Sequence, residues 1–329
     1  MNAASQPSMT DEQAAWFSQV FGRLVENVEQ VVLGKAHVVK LAFASLLTGG
    51  HLLLEDYPGT GKTSLARALA QTVGGHSGRI QFTPDLLPGD VTGMSVYDQA
   101  SRRFEFHRGP VFATVLLADE INRASPKTQS ALLEVMEEGQ VTVDGVTHPV
   151  DDPFMVIATQ NPVEQAGTYR LPEAQLDRFL MKSSLGYPDQ ASTLRILQGA
   201  RVRSHHVELD PVVDLRTLQE MAVIARMPHT DDALLDYITR LVEETRNAPE
   251  VRLGVSVRGA LGLVRAATTW AAVEGRSYVT PDDVKTLATP VLAHRLVLDP
   301  EAEFDGVTAA SVIGRILIDV RPPAERLPR

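Results

Sequence analysis

The segment DYPGTGKT at residues 56–63 joins an apolar run to a helical pattern, and its residue types suit one task, holding phosphate. Gly59 and Gly61, with Pro58 and Thr60 beside them and Ser64 three residues past Gly61, let the backbone curl until its N–H groups converge on an anion. Lys62 reaches the β and γ oxygens of a nucleotide, and Thr63 offers its hydroxyl to Mg²⁺. Asp56 stands where such loops usually begin with glycine, which puts a carboxylate at the start of the loop rather than in its cradle. Binding is expected to survive that change. VLLADE at 115–120 ends an apolar strand in two acids: Asp119 is placed to hold Mg²⁺ with Thr63, and Glu120 to orient and deprotonate an attacking water. FMVIATQNP brings a further strand to Gln160 and Asn161, where an amide senses the γ-phosphate without adding charge. Taken singly, these are a glycine-rich turn, a solvated strand end and a strand-capping amide. Together they point to Mg²⁺-dependent ATP hydrolysis.

Such residues must be brought to one edge, and the chain supplies the elements for it. HLLLED (51–56), RIQFT (79–83), VLLAD (115–119) and FMVIATQ (154–160) alternate with helical patterns from Lys62 and from Ser125, which predicts a parallel sheet covered by helices. Two β-rich excursions interrupt the alternation. One is MSVYD with RRFEFH around 94–107; the other is QVTVDGVTHPV, where Asp144-Gly145 is a hairpin turn signal. Both are expected to stand out from the sheet.

Before the sheet, residues 1–9 read as disordered, and Thr10 with Gln13 makes a capping box for a helix carrying Trp16, Phe17, Val20, Phe21, Leu24, Val25 and Val28 at helical spacing. A second helix runs after VVLGK to Thr48 and stops at Gly49-Gly50. Beyond Gly186, Tyr187 and Pro188 the pattern turns helical, around 190–200, 214–226, 231–247, 257–274 and 281–296, with Ser256 and Thr280 as N-caps. The fold expected is an α/β P-loop αβα sandwich followed by an all-α lid. Its divisions are an N-terminal tail and helix (1–30), a nucleotide-binding core (31–185) and the lid (186–329).

Composition sets outer bounds. A chain of 329 residues, 44% hydrophobic and 22% charged, buries a sizeable core and has room for two domains. No run of about 18 apolar residues occurs and the start lacks a signal-peptide pattern, so a cytoplasmic protein without a transmembrane segment is expected. The absence of cysteine excludes disulfides, thiolate chemistry and Cys-ligated metal. A net charge of −10 argues against nucleic acid as a partner. His205 and His206, adjacent in a polar stretch, read as a loop pair rather than a metal site.

The strings LLLEDYPGTGKT, RIQFTPDLLPGDVTG, LLADEINRASPKTQSALLE, ATQNPVEQAGTY and LPEAQLDRFL resemble the MoxR family of AAA+ ATPases, within the clade carrying an insert in the second helix. The resemblance covers about residues 30–310. It implies that FTPDLLPGDVTG and the strand pair after it are the insert, that Arg178 in LDRF is an arginine finger reaching a neighbouring subunit's site, and that Arg258 in GVSVRGAL is the sensor 2 arginine on the γ-phosphate. It implies a homo-oligomeric ring, expected to be a hexamer, and a base bordered by the VVLGK segment, near Lys35 and His37. Arg170 departs from the family pattern and is a second candidate for the finger. Arg123 is read as either a subunit-boundary residue or a structural salt bridge.

The activity implied is that of a chaperone-like motor that remodels, matures or inserts cofactors into a partner protein, in this family often one with a von Willebrand factor A domain. Rival readings are a metal-chelatase motor subunit, a nucleic-acid motor, and a nucleotide-gated scaffold that scarcely hydrolyses. Intact Glu120 argues against the last.

Overall fold

The computed structural model describes residues 8–161, 169, 171–201 and 208–323. Arg170, His205 and His206 lie outside them, as does the stretch 162–168. Counting described residues only, the chain forms two compact units, one from 22–178 with 183–219, the other from the remainder of the chain.

Elements follow in the order α1 (Asp11–Glu29), α2 (Ala36–Thr48), β1 (Leu52–Glu55), α3 (Lys62–Thr72), β2 (Ser77–Gln81), α4 (Pro88–Thr92), β3 (Gly93–Asp98), β4 (Arg103–Arg108), β5 (Val115–Asp119), α5 (Pro126–Glu138), β6 (Gln140–Val143), β7 (Val146–Pro149) and β8 (Met155–Gln160). They continue with α6 (Glu173–Leu176), β9 (Met181–Ser183), α7 (Gln190–Arg201), α8 (Leu215–Ile224), α9 (Asp232–Asn247), β10 (Val251–Leu253), α10 (Val257–Val273), α11 (Pro281–Leu292), β11 (Val297–Leu298), α12 (Pro300–Phe304) and α13 (Ala309–Asp319).

The central sheet has the order β2-β5-β8-β1-β9. β2, β5, β8 and β1 pair in parallel, with Gln81 opposite Asp119 and Glu55 opposite Gln160. β1, β5 and β8 are nearly all buried, as their unbroken apolar runs require of strands covered on both faces. Parallel pairing in this register delivers Glu55, Gln81, Asp119 and Gln160 to the same carboxyl edge. That edge is where a doubly covered sheet offers a ligand site.

Local chemistry explains the helix ends. Thr10 and Gln13 close the expected capping box, each backbone N–H donating to the other's side-chain oxygen. Ser125 accepts the Thr128 N–H at the start of α5. Met9, expected in a disordered tail, is 5% exposed, so order begins before the helix cap. Both β excursions form separate two-stranded antiparallel sheets, β3 with β4 and β6 with β7, and Asp144 and Gly145 turn the second at φ 51° and 78°.

The second unit is helical, as expected, with an addition the pattern did not announce. β10 and β11 form a short antiparallel pair, three and two residues long, too brief for alternation to register. α13, with Val312, Ile313 and Ile316 buried, was likewise unread beyond residue 296. Ser256 caps α10 through the Gly259 N–H, and Asp283 caps α11 by accepting the N–H and O–H of Thr280 while pairing with Arg276 at 2.5 Å. A fork-to-fork pair of Arg315 with Glu250, at 2.6 and 2.7 Å, ties α13 to the residue before β10.

His51 leads into β1, buried and neutral at pH 7. Its Nε2–H donates to the Met136 carbonyl and its Nδ1 accepts the Val156 N–H, both at 3.0 Å. Burial lowers its pKa from 6.5 to about 4. Because the unfolded chain takes up this proton first, stability is full above pH 6.5 and falls as pH drops toward 4, by up to about 3 kcal/mol. Denaturant midpoints measured from about pH 7 to about pH 4.5 should fall more gently in His51→Gln than in the parent chain. Parallel slopes would remove His51 from the account.

Candidate active site

The loop after β1 supplies the cradle. Gly59 and Gly61 sit at φ 81° and 94°, conformations closed to most side chains, and Gly61 opens α3, so the first N–H groups of that helix face the loop's concavity. Lys62 folds back on the loop itself, its Nζ donating to the carbonyls of Tyr57 at 3.1 Å and Asp56 at 3.4 Å. An ammonium resting on two backbone carbonyls is easily recruited by a stronger acceptor such as phosphate.

A pocket of about 440 Å³ is lined by Pro58–Thr63 together with Arg79, Gln81, Asp119 and Glu120. Eight residues named from sequence therefore meet: Pro58, Gly59, Thr60, Gly61, Lys62, Thr63, Asp119 and Glu120. Ser64 lies one residue further along α3 and is absent from the lining. Asn161 follows the last residue of β8, at the same sheet edge but outside the lining. Arg178 pairs with Glu137 on α5 at 3.1 Å. Arg258 is the exposed second residue of α10, in the other unit.

The two acids are held in different ways. Asp119 accepts the Thr159 hydroxyl on Oδ1 at 2.7 Å and the Arg79 guanidinium on Oδ2 at 2.8 Å. Glu120 adopts φ 57° and ψ 49°, a left-handed conformation that a carboxylate residue seldom takes, and its N–H is fixed by the Thr159 hydroxyl oxygen at 2.8 Å. Its Oε2 accepts from Gln81 Nε2 at 3.0 Å and from Arg123 at 2.8 Å. Arg79 also donates to Gln81, which completes a chain Asp119, Arg79, Gln81, Glu120, Arg123, the first four of which line the pocket.

Thr159, Arg79 and Gln81 were missed in the sequence. The last two could have been found, since RIQ on β2 has alternating burial that sends 79 and 81 to one side, opposite the strand ending in Asp119. Arg123 pairs with Glu120 at 2.8 Å.

Mg²⁺ fits this donor set. A magnesium ion is held by one or two protein oxygens plus phosphate and water, and Asp119 with Thr63 offers hard oxygen ligands beside the phosphate cradle. Arg79 supplies positive charge to Asp119 in the present arrangement. Among the described residues no group of three or more His, Cys, Asp or Glu side chains forms a self-sufficient metal cage.

Residues 51–181 match the ATPase family associated with various cellular activities, AAA, and residues 243–316 match the AAA lid domain. The chain is 43% identical over 311 residues to the Mycobacterium tuberculosis protein named Chaperone MoxR1, covering 92% of this chain and 82% of that one. This chain belongs to the MoxR family of AAA+ ATPases. It is also 49% identical to the uncharacterized Bacillus subtilis protein YeaC, over 93% and 96% of the two chains. A solved structure of a proposed ATPase from Cytophaga hutchinsonii superposes with a TM-score of 0.89 at 39% identity, covering 95% of this chain and 98% of that one. Magnesium-chelatase subunits are more distant, at 28% identity over 213 residues in the Cereibacter sphaeroides protein. As a MoxR-family member the chain is an ATP-hydrolysing P-loop enzyme with an α/β core and a helical lid.

Proposed function

We propose that this MoxR-family enzyme hydrolyses Mg²⁺-ATP at sites shared between neighbouring subunits of a ring, a hexamer, and uses the cycle to remodel or mature a partner protein. The observation that carries the hydrolytic part is the convergence of Lys62, Thr63, Asp119 and Glu120 on one pocket.

In this reading the loop N–H groups and Lys62 bind and orient the β and γ phosphates. Asp119 and Thr63 would hold Mg²⁺, which when bound would neutralise charge developing on the phosphate oxygens. Glu120 takes the proton of the attacking water, while Gln81 and Arg123 hold its carboxylate in place and Thr159 fixes both acids to β8. Asn161 and Arg258 sense the γ-phosphate, and Arg178 enters the site of the next subunit.

The client reading rests on the relative named a chaperone. A partner with a von Willebrand factor A domain is the form expected of that client, and a cytoplasmic location belongs to the same proposal. Among the described residues no helix is long and apolar enough to cross a membrane. The chelatase reading is disfavoured by the lower identity of the chelatase subunits.

The first experiment is ATP hydrolysis per subunit, with Mg²⁺, over a wide range of protein concentration. A specific rate that climbs and then saturates is expected for sites completed by assembly. A rate independent of concentration in a demonstrably monomeric protein would overturn the shared site.

A further inference from the structure

The first residue of the phosphate loop is occupied with something other than nucleotide. Asp56 is only 2% exposed, and its carboxylate accepts three hydrogen bonds from a turn far along the chain, at residues 184–186. Oδ1 takes the Ser184 hydroxyl and the Gly186 N–H, both at 2.8 Å, and Oδ2 takes the Leu185 N–H at 2.6 Å. A buried carboxylate is tolerated where donors converge on it in this way, and consecutive backbone N–H groups with one residue at positive φ, here Gly186 at 60°, form a natural anion nest.

Adjacent contacts join the same two segments. Tyr57 stacks on Tyr187, with ring centroids 5.8 Å apart and planes within 8°. The Tyr187 carbonyl accepts from Lys35 at 2.8 Å, which brings in the residue just before α2. The loop is thus fixed at its far end by α3 and at its near end by a turn distant in sequence. On the loop side the clamp adjoins the two carbonyls on which Lys62 rests.

We infer that Asp56 is a positioning residue: its carboxylate clamps the start of the phosphate loop to the 184–186 turn, and nucleotide affinity depends on that clamp. The inference rests on the proposed nucleotide site. Asp56 touches no phosphate in this account. It removes freedom from the loop that does, and misplacing such a loop slightly weakens every N–H contact to the ligand together.

Asp56→Asn keeps the shape. Its carbonyl oxygen can still accept from Ser184 and Gly186, but its NH₂ faces the Leu185 N–H and cannot accept it. Two readouts are taken together: calorimetric binding of Mg²⁺-ADP, and hydrogen exchange at the Leu185 and Gly186 amides. In Asp56→Asn the affinity should fall about tenfold and the Leu185 amide should exchange about tenfold faster. Lys62→Ala should lose the nucleotide yet keep both amides protected, a separation that general destabilisation would not produce. Should Asp56→Asn not fold, Ser184→Ala removes a single donor and should weaken ADP binding about two- to threefold.

Faster exchange with unchanged ADP affinity, in either variant, would overturn the inference and leave the clamp purely structural. Absence of ADP binding by the parent chain would defeat the nucleotide site itself, and this inference with it.

Discussion

Replacing Glu120 by glutamine is expected to lower ATP hydrolysis by about 10²- to 10⁴-fold while nucleotide binding persists. The substitution changes almost nothing except basicity. Glutamine keeps the length of the side chain, and its amide oxygen can still accept from Gln81 Nε2 and Arg123, the two donors that hold the carboxylate now. The left-handed backbone at this position is set by the turn and by the Thr159 hydroxyl on the N–H, neither of which depends on charge. On the proposed mechanism, what vanishes is the group that would take a proton from water beside the γ-phosphate. Hydrolysis measured against binding of a fluorescent nucleotide separates the two effects. Equal rates in parent and variant would show that some other group activates the water.

Arg178→Ala is expected to cost about 10³-fold in turnover, near the lower end of what a guanidinium supplied in trans contributes to phosphoryl transfer. Nucleotide affinity should change far less, because in the proposed role the arginine would act on charge that develops during the reaction. Within its own subunit Arg178 is paired with Glu137, but the two side chains are 29% and 39% exposed. A pair so open to solvent contributes about 1 kcal/mol or less, so docking against a neighbour's nucleotide exchanges it at small cost. Glu137→Gln should therefore leave turnover within about threefold of the parent, which distinguishes a finger from a residue needed only for its salt bridge. A variant lacking Arg178 that hydrolyses ATP normally would sink the shared site.

The parts of this molecule visible in the sequence are those whose chemistry is local. The phosphate loop is one unbroken segment, 56–63, and the acid pair sits at the end of an apolar run whose edge position follows from strand polarity alone. The parallel sheet was legible because β1, β5 and β8 are buried on both faces and read as unbroken apolar runs. Residues that act through pairing across strands were not. Thr159 bridges Asp119 and Glu120 from a different strand, and nothing in ATQNP distinguishes a structural threonine from this one. Asp56 was seen only as a departure from a glycine; its donors arrive through the placement of a distant turn. β10, β11 and α13 escaped because they are short, or because they lie past the last helix pattern recognised. Arg170, the rival finger, is outside the described residues, and Arg178 carries the proposal.

The most direct test of the central claim mixes two inactive chains. Glu120→Gln retains Arg178 but cannot activate water; Arg178→Ala retains Glu120 but offers no finger to its neighbour. If the two act across a subunit boundary, co-expressed chains will form some sites in which an intact Glu120 faces an intact Arg178. With random mixing those are about one site in four, so roughly a quarter of the parent rate should return. A mixture no more active than its two components, in rings shown to contain both chains, would contradict the shared site and place hydrolysis within the single subunit.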